Sequence, residues 1–456
     1  MIDNTTIAAI STARATAGIS VIRVSGSRSI EIADRIFSAK SNKKLSNMKG
    51  YTCALGTASA NGDTLDECIA TVFRAPHSYT GEDVVELSCH GGLYVTARIL
   101  RALYDAGAVP AEAGEFTKRA FLNGKLDLIE AEAVMDIISA RSRGAARAAL
   151  NVKEGALSRR IDSVRSALLD KIAHLSAWAD YPEEDIPEVD SEALAEALGG
   201  AQNRLNAIIR DFDNGRVLRD GIDAAIIGKP NVGKSTLMNL LSGYDKSIVT
   251  PVAGTTRDIV EESVSLGDII LNISDTAGIR ETDDEVERIG VDKAIGRLKS
   301  AALVLCVFDS SQALGNEDRE IISAVADAPR IAILNKSDLP RNIDTAELSE
   351  HFDTIIPMSA KKSEGLDELI EVIRGLCAVT DLDSGEALIY NERQRSLAIR
   401  ARDEVADALS ALMAGVTFDA VTVSIEAAVD ALCELTGERV TDEVVDRVFH
   451  SFCVGK

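Results

Sequence analysis

Residues 228–235 read GKPNVGKS, a G-x-x-x-x-G-K-S spacing that follows the apolar run IDAAII and opens a helical one. The chemistry on offer is phosphate binding. Glycines let backbone N–H groups approach a polyphosphate with no Cβ in the way, and a helix N-terminus adds partial positive charge. Lys234 is placed to reach the β- and γ-phosphates, and Ser235 to ligate Mg²⁺. Further segments follow in order. AGTTRD puts Thr256 on a polar loop, where it can complete the Mg²⁺ shell. ISDTAG ends an apolar run with Asp275, which can reach the metal through water, and Gly278, whose N–H can meet the γ-phosphate. ILNKSD positions Asp338 to accept from guanine's N1 and N2 donors, which adenine does not present together, and PMSAKK supplies a last base-contact loop. Strung together at the C-terminal edges of strands, these segments specify a GTP-binding domain.

The hydrolytic groups are less evident. Ras-like GTPases carry a Gln directly after D-x-x-G to orient the attacking water; here that position is Ile279, which cannot. Arg257 and Arg280 are candidates for an arginine finger in cis. The downstream segment RETDDEVERIG offers Asp283, Asp284, Glu285 and Glu287 to position a water, and the residues alone do not choose among them.

The elements that must position these groups are legible as three textures. From Asp220 to about Val379 strands alternate with helices, as in a doubly wound parallel sheet. From Phe116 to Arg216 apolar residues recur every three to four positions, broken at DYPEEDIPEVDS by Pro182 and Pro187. Helical texture resumes at ERQRSLAIRARDEVADALSALMAG and runs to the end. Before Glu115, short apolar runs such as GISVIRVSG and DVVELSCHGG surround two helical stretches in an α+β pattern. The expected fold is multidomain α/β: an α+β domain over 1–118, a helical bundle split over 119–215 and 381–456, and an inserted Ras-like P-loop GTPase domain over 216–380.

A hydrophobic content of 46% supports real cores, and an aromatic content of only 4% makes them aliphatic. The net charge of −23 opposes a broad electrostatic grip on nucleic acid, though not a local basic groove. Seven scattered cysteines with no C-x-x-C pair read as reduced thiols rather than as a disulfide framework or zinc site. No run approaches the roughly 18 apolar residues of a bilayer span, and no signal-peptide pattern opens the chain. A cytoplasmic protein with no membrane association is expected.

GKPNVGKSTLMN, AGTTRD, DTAGIRETDDEVERIG and the terminal FCVGK resemble the MnmE (TrmE) family of tRNA-modification GTPases, as do SYTGEDVVELSCHGG and GEFTKRAFLNGKLDLIEAEA nearer the start. The resemblance runs from the first residues to the last. It implies nucleotide contacts from Asn231, Val232, Gly233, Lys234, Ser235 and Thr236, then from Thr250, Pro251, Val252, Ala253, Gly254, Thr255 and Thr256. Asp275, Thr276, Ala277 and Gly278 would follow, with Asn335, Lys336, Asp338, Ser359, Ala360 and Lys361 around the base. It also implies K⁺ in place of an arginine finger, held by the Asn231 side chain and by carbonyls of Thr250, Val252 and Thr255. Glu287 becomes the water-orienting carboxylate, and Glu287, Lys234 and Cys453 the catalytic candidates.

The N-terminal domain is implied to bind a tetrahydrofolate, either 5,10-methylene or 5-formyl, through Arg23, Glu86, Lys125 and Lys456, and to form a homodimer. A carboxylate suits the N–H groups of a pterin, while Arg and Lys suit its glutamate tail. The reaction so implied adds an aminomethyl or carboxymethylaminomethyl group to carbon 5 of a tRNA wobble uridine. A flavin-dependent partner, MnmG (GidA), would hold FAD and use NADH. The present chain has no G-x-G-x-x-G dinucleotide fingerprint after a strand, which agrees with that division. Cys89 stands before HGG where other members commonly carry glycine.

Two features read differently by themselves. The spacing of SFCVGK mimics a prenylation box, but Gly455 is not aliphatic and no polybasic run precedes it. Arg141, Arg143, Arg147, Lys153, Arg159 and Arg160 can meet tRNA phosphates, although a solvated helix face explains them more simply. The alternative to modification chemistry is a GTPase switch for ribosome assembly. Such a protein ordinarily carries an RNA-binding module or second G domain, and neither is visible.

Overall fold

The computed structural model describes residues 5–180, 187–243, 262–267, 269–275, 301–325, 328–376 and 391–456. The chain divides into two compact units, one of Met1–Met135, Lys153–Gln202 and Ser396–Lys456, the other of Asp136–Val152 and Asn203–Arg395.

The first unit opens with strands β1 (Ile7–Ile10) and β2 (Ile19–Ser25), helix α1 (Ser29–Ile36), β3 (Phe37–Ala39), β4 (Thr52–Ala60), β5 (Asp63–Phe73) and β6 (Val84–His90). Helix α2 (Leu93–Asp105), the short β7 (Val109–Pro110) and α3 (Glu115–Leu122) follow. The seven strands form one sheet in the order β3-β4-β5-β6-β2-β1-β7. Alternation decides what faces where. In β2 Ser20, Ile22 and Val24 are buried, as are Val85, Leu87 and Cys89 in β6. The apolar members among these pack with Ile32 of α1 and with Ile99 and Leu103 of α2. Each such aliphatic side chain contributes about 2 kcal/mol by leaving water. The period of two therefore sends Arg23 and Glu86 to the other face, and the β2–β6 register sets them opposite one another.

Helices α4 (Leu128–Ser139) and α6 (Ala156–Asp180) and the helices Glu392–Met413, Phe418–Thr436 and Asp442–His450 supply the helical texture; α5 (Arg143–Lys153) precedes α6. The last helix starts where Thr441 accepts from the Val444 N–H, and it buries Val445 and Phe449, with Phe452, against Leu128 and Ala131. Beyond it the tail meets the start of α3. Val454 bridges Ala113, and the Gly114 and Phe116 N–H groups donate to the Cys453 and Lys456 carbonyls.

Helix α7 (Ser191–Asp220) ends at Gly221, whose φ of +80° suits glycine, and feeds the second sheet. That sheet has the order β13-β12-β11-β8-β10-β9. Its strands are β8 (Ile222–Ile227), β9 (Glu262–Leu266), β10 (Ile269–Asp275), β11 (Leu303–Asp309), β12 (Arg330–Asn335) and β13 (Ile355–Pro357); β9 pairs antiparallel with β10, and the other pairings among the described residues are parallel. All seven residues of β11 are buried. One core beneath the sheet gathers Ile226, Leu305 and Ile333 with Leu237, and the other gathers Ile227, Cys306, Phe308 and Leu334. Burial on both faces is why these strands read as unbroken apolar runs. Strand β8 lies between β10 and β11, so the chain leaves it at a switch point in the strand order. Helix α8 (Lys234–Ser242) starts there.

Candidate functional site

The loop between β8 and α8 is shaped by backbone that only certain residues adopt. Gly228, Asn231 and Gly233 all have positive φ, and at Gly233 an added Cβ would lie 2.2 Å from the Asn335 Nδ2. At Gly228 it would lie 2.4 Å from the Val307 carbonyl oxygen. Asn tolerates the left-handed region better than other Cβ-bearing residues, which accounts for Asn231 at a φ of +64°. The Lys234 ammonium donates to the Gly228 carbonyl at 2.6 Å and to the Lys229 carbonyl at 2.9 Å, closing the loop on itself. A polyphosphate competes for that ammonium with two neutral acceptors, a contest that charge favours. Ser235 and Thr236 are exposed in the first turn of α8, and Val232 is buried beneath.

The segment after β12 is bound directly to this loop. Asn335 donates through Nδ2 to the Val232 carbonyl at 2.8 Å and accepts through Oδ1 from the Ala360 N–H at 3.0 Å. Lys336 donates to the Asn231 carbonyl at 2.8 Å. Ser359 Oγ donates to Asp338 at 2.7 Å, and this bond holds the half-buried carboxyl below its ordinary pKa. Lys361 is exposed beside it. Asn231, Val232, Gly233, Lys234, Asn335, Lys336, Asp338, Ser359 and Ala360 are thus brought together. Asp275 closes β10. Thr250, Pro251, Val252, Ala253, Gly254, Thr255 and Thr256, then Thr276, Ala277 and Gly278, and Glu287, lie outside the described residues.

Motif reading missed three charged residues here. Lys229 donates to the buried Asp318 at 2.9 Å, and Asp318 also accepts from the Gly315 N–H, capping the helix Asn316–Ala324. Asp309, at the end of β11, binds Lys336 at 2.7 Å. The signal available was a lone carboxylate ending the apolar run LVLCVF.

In the first unit, Arg23 and Glu86 meet at 2.8–2.9 Å, and the Arg23 guanidinium lies 5.2 Å from the centre of the Tyr79 ring and 5.5 Å from that of Phe116. Burial pushes the Tyr79 phenol up, and its hydroxyl pairs with Thr117 at 2.9 Å. Lys125 donates to the Pro76 carbonyl at 3.2 Å, within the loop that carries Tyr79. Lys456 arrives through its backbone: the Phe116 N–H donates to its carbonyl at 3.2 Å. Ser11 Oγ donates to the Gly455 carbonyl at 3.0 Å. Gly455 has a φ of +98°, and a Cβ there would lie 2.2 Å from the Ile10 carbonyl oxygen. A partly exposed carboxylate, a guanidinium and flanking aromatic rings fit a flat heterocycle rich in N–H groups with an anionic tail. Cys453 is exposed and unpaired as a disulfide. Cys89 is buried, and burial raises its thiol above the ordinary value. Arg141, Arg143, Arg147 and Arg159 are exposed. Among the described residues no helix is long and apolar enough to cross a membrane.

Comparison with known proteins gives two family matches: "MnmE helical domain" over residues 128–453 and "GTP-binding protein TrmE N-terminus" over residues 6–125. The protein of Acetivibrio thermocellus named tRNA modification GTPase MnmE is 41% identical over 459 residues, covering 99% of each chain. That of the same name from Clostridioides difficile is 39% identical over 454 residues, again covering 99% of each. Among solved structures, a variant of Aquifex aeolicus Era bound to GDP and AlF4⁻ is 30% identical, with a TM-score of 0.28, over 40% of this chain and 66% of that one.

Proposed function

The chain belongs to the MnmE family of tRNA modification GTPases, and from that premise we propose that it hydrolyses GTP, with Mg²⁺ at Ser235 and Thr256, to drive modification of a tRNA wobble uridine. K⁺ at Asn231, Thr250, Val252 and Thr255 supplies the positive charge that an arginine finger supplies elsewhere. Glu287 orients the water through a second water. The 1–118 domain is the folate and dimer module, 119–215 and 381–456 the helical domain, and 216–380 the GTPase. Arg23, Glu86, Lys125 and Lys456 hold a one-carbon tetrahydrofolate; Cys453 lies on the same tail as Lys456. An MnmG (GidA) partner carries FAD and uses NADH, and the complex works in the cytoplasm.

The observation that carries this reading is the latch between the guanine loop and the phosphate loop, Asn335 on Val232 and Lys336 on Asn231, within a chain related to its family over its whole length. Calorimetry with 5-formyltetrahydrofolate and GTP turnover in matched K⁺ and Na⁺ salts test it. Folate binding and a K⁺-dependent rate are expected. Absence of folate binding defeats the modification reading, and equal rates in both salts remove the cation.

A further inference from the structure

Asp309 belongs to none of the nucleotide motifs, yet it holds one of them. It ends β11 and is 3% exposed. Its carboxylate accepts from Lys336 Nζ at 2.7 Å, from Gln312 Nε2 at 3.1 Å, and from Ser311 through N at 3.0 Å and Oγ at 2.6 Å. Burial alone would raise this carboxyl, but the Lys336 ammonium and Ser311 hold it below its ordinary value, as a charge. Lys336 has a left-handed φ of +63°, and its carbonyl accepts from Ser310 Oγ at 2.9 Å. The same ammonium donates to the carbonyl of Asn231, itself at a φ of +64°. Two residues in sparsely populated conformations, one in each loop, are joined by one ammonium. A lysine side chain has four flexible carbons and does not hold such a position unaided.

We propose that Asp309 is a positioning residue of the nucleotide site: it fixes the Lys336 ammonium on the Asn231 carbonyl and so keeps the guanine loop and the phosphate loop in their binding shapes before nucleotide arrives. The proposal rests on the GTPase reading above. Preorganisation of this kind acts on ground state and transition state alike, so its loss appears in KM rather than kcat.

The full chain with Asp309→Asn keeps an acceptor for Ser311 and loses the charge that holds Lys336. KM for GTP is expected to rise about tenfold, with kcat changed less than about twofold. In a Lys336→Met background the same substitution is expected to add nothing, because it acts through that ammonium. Ser311→Ala, which spares the ion pair, is expected to leave KM unchanged. An unchanged KM in a folded Asp309→Asn protein overturns the proposal, as does full additivity with Lys336→Met or an equal KM rise in Ser311→Ala. Should Asp309→Asn lose its cooperative thermal transition, Lys336→Met alone decides, and an unchanged KM there overturns it. A chain that binds no guanine nucleotide defeats the GTPase reading itself, a result distinct from all of these.

Discussion

The nucleotide loops and the Arg23–Glu86 face both hold charged groups in place, in opposite ways. At the nucleotide loops most contacts run from side chain to backbone: Lys234 onto Gly228 and Lys229, Asn335 onto Val232, Lys336 onto Asn231. Short contiguous segments carry nearly all of it, because a parallel sheet delivers their strands to one edge. At the Arg23–Glu86 face the pair is separated by 63 residues and meets only through strand register, and the chain's last residues are fastened beside it by Phe116 and Ser11. Contiguous motifs supply the first site's residues, although its latches join segments 103 and 105 residues apart, whereas the second draws single residues from separate strands. Damage at the first should therefore be specific to nucleotide, and damage at the second should spread into stability.

Four measurements press on that contrast. Lys234→Ala is expected to lower GTP turnover by about a thousandfold or more, read as phosphate release, with folate binding retained; loss of both activities together would mean the sites are not independent. Gly455→Ala forces a Cβ against the Ile10 carbonyl in a conformation that disfavours it. It is expected to cost about 2–4 kcal/mol in thermal or denaturant unfolding, or to release the tail and abolish folate binding while GTP affinity persists. Unaltered stability and folate affinity would show that the tail clamp is dispensable.

Arg23→Ala is expected to weaken 5-formyltetrahydrofolate roughly ten- to a hundredfold by calorimetry, since it removes a charge-assisted partner and leaves Glu86 unpaired, with KM for GTP unchanged. The smallest effect concerns Asp127, which exchanges capping bonds with Glu130 at the start of α4. Burial pushes its carboxyl up to about 6. Between about pH 4 and about 6 the folded chain then keeps a proton that the unfolded chain has released, so stability falls as pH rises through that window. Asp127→Asn preserves an acceptor for the cap and is expected to remove about 2 kcal/mol or less of that pH dependence in urea titrations at pH 4 and 7. Identical slopes for both proteins would leave the carboxyl unperturbed.

How much was legible follows the same division. β11 and β12 were readable as unbroken apolar runs, and the motifs at their ends fell where a switch point puts them. Arg23 and Glu86 came from family resemblance, since strand alternation says which face each takes but not that β2 and β6 are neighbours. Asp309 was invisible for a related reason. Its importance lies in an ion pair 27 residues away in the chain, across two adjacent strands, and a carboxylate closing a strand is otherwise ordinary. The place of the tail was not legible, because SFCVGK has no pattern that announces a bridge to Ala113.

The sequence by itself determined the phosphate-loop chemistry and the order of textures, because glycine spacing and hydrophobic period act over a few residues at a time. Only the tertiary structure decided that Glu86 faces Arg23, that Asp309 grips Lys336, and that the last residues lie against residues 113–116. Each of those depends on which strands become neighbours, and that is settled by burial summed over a whole core rather than by any local stretch.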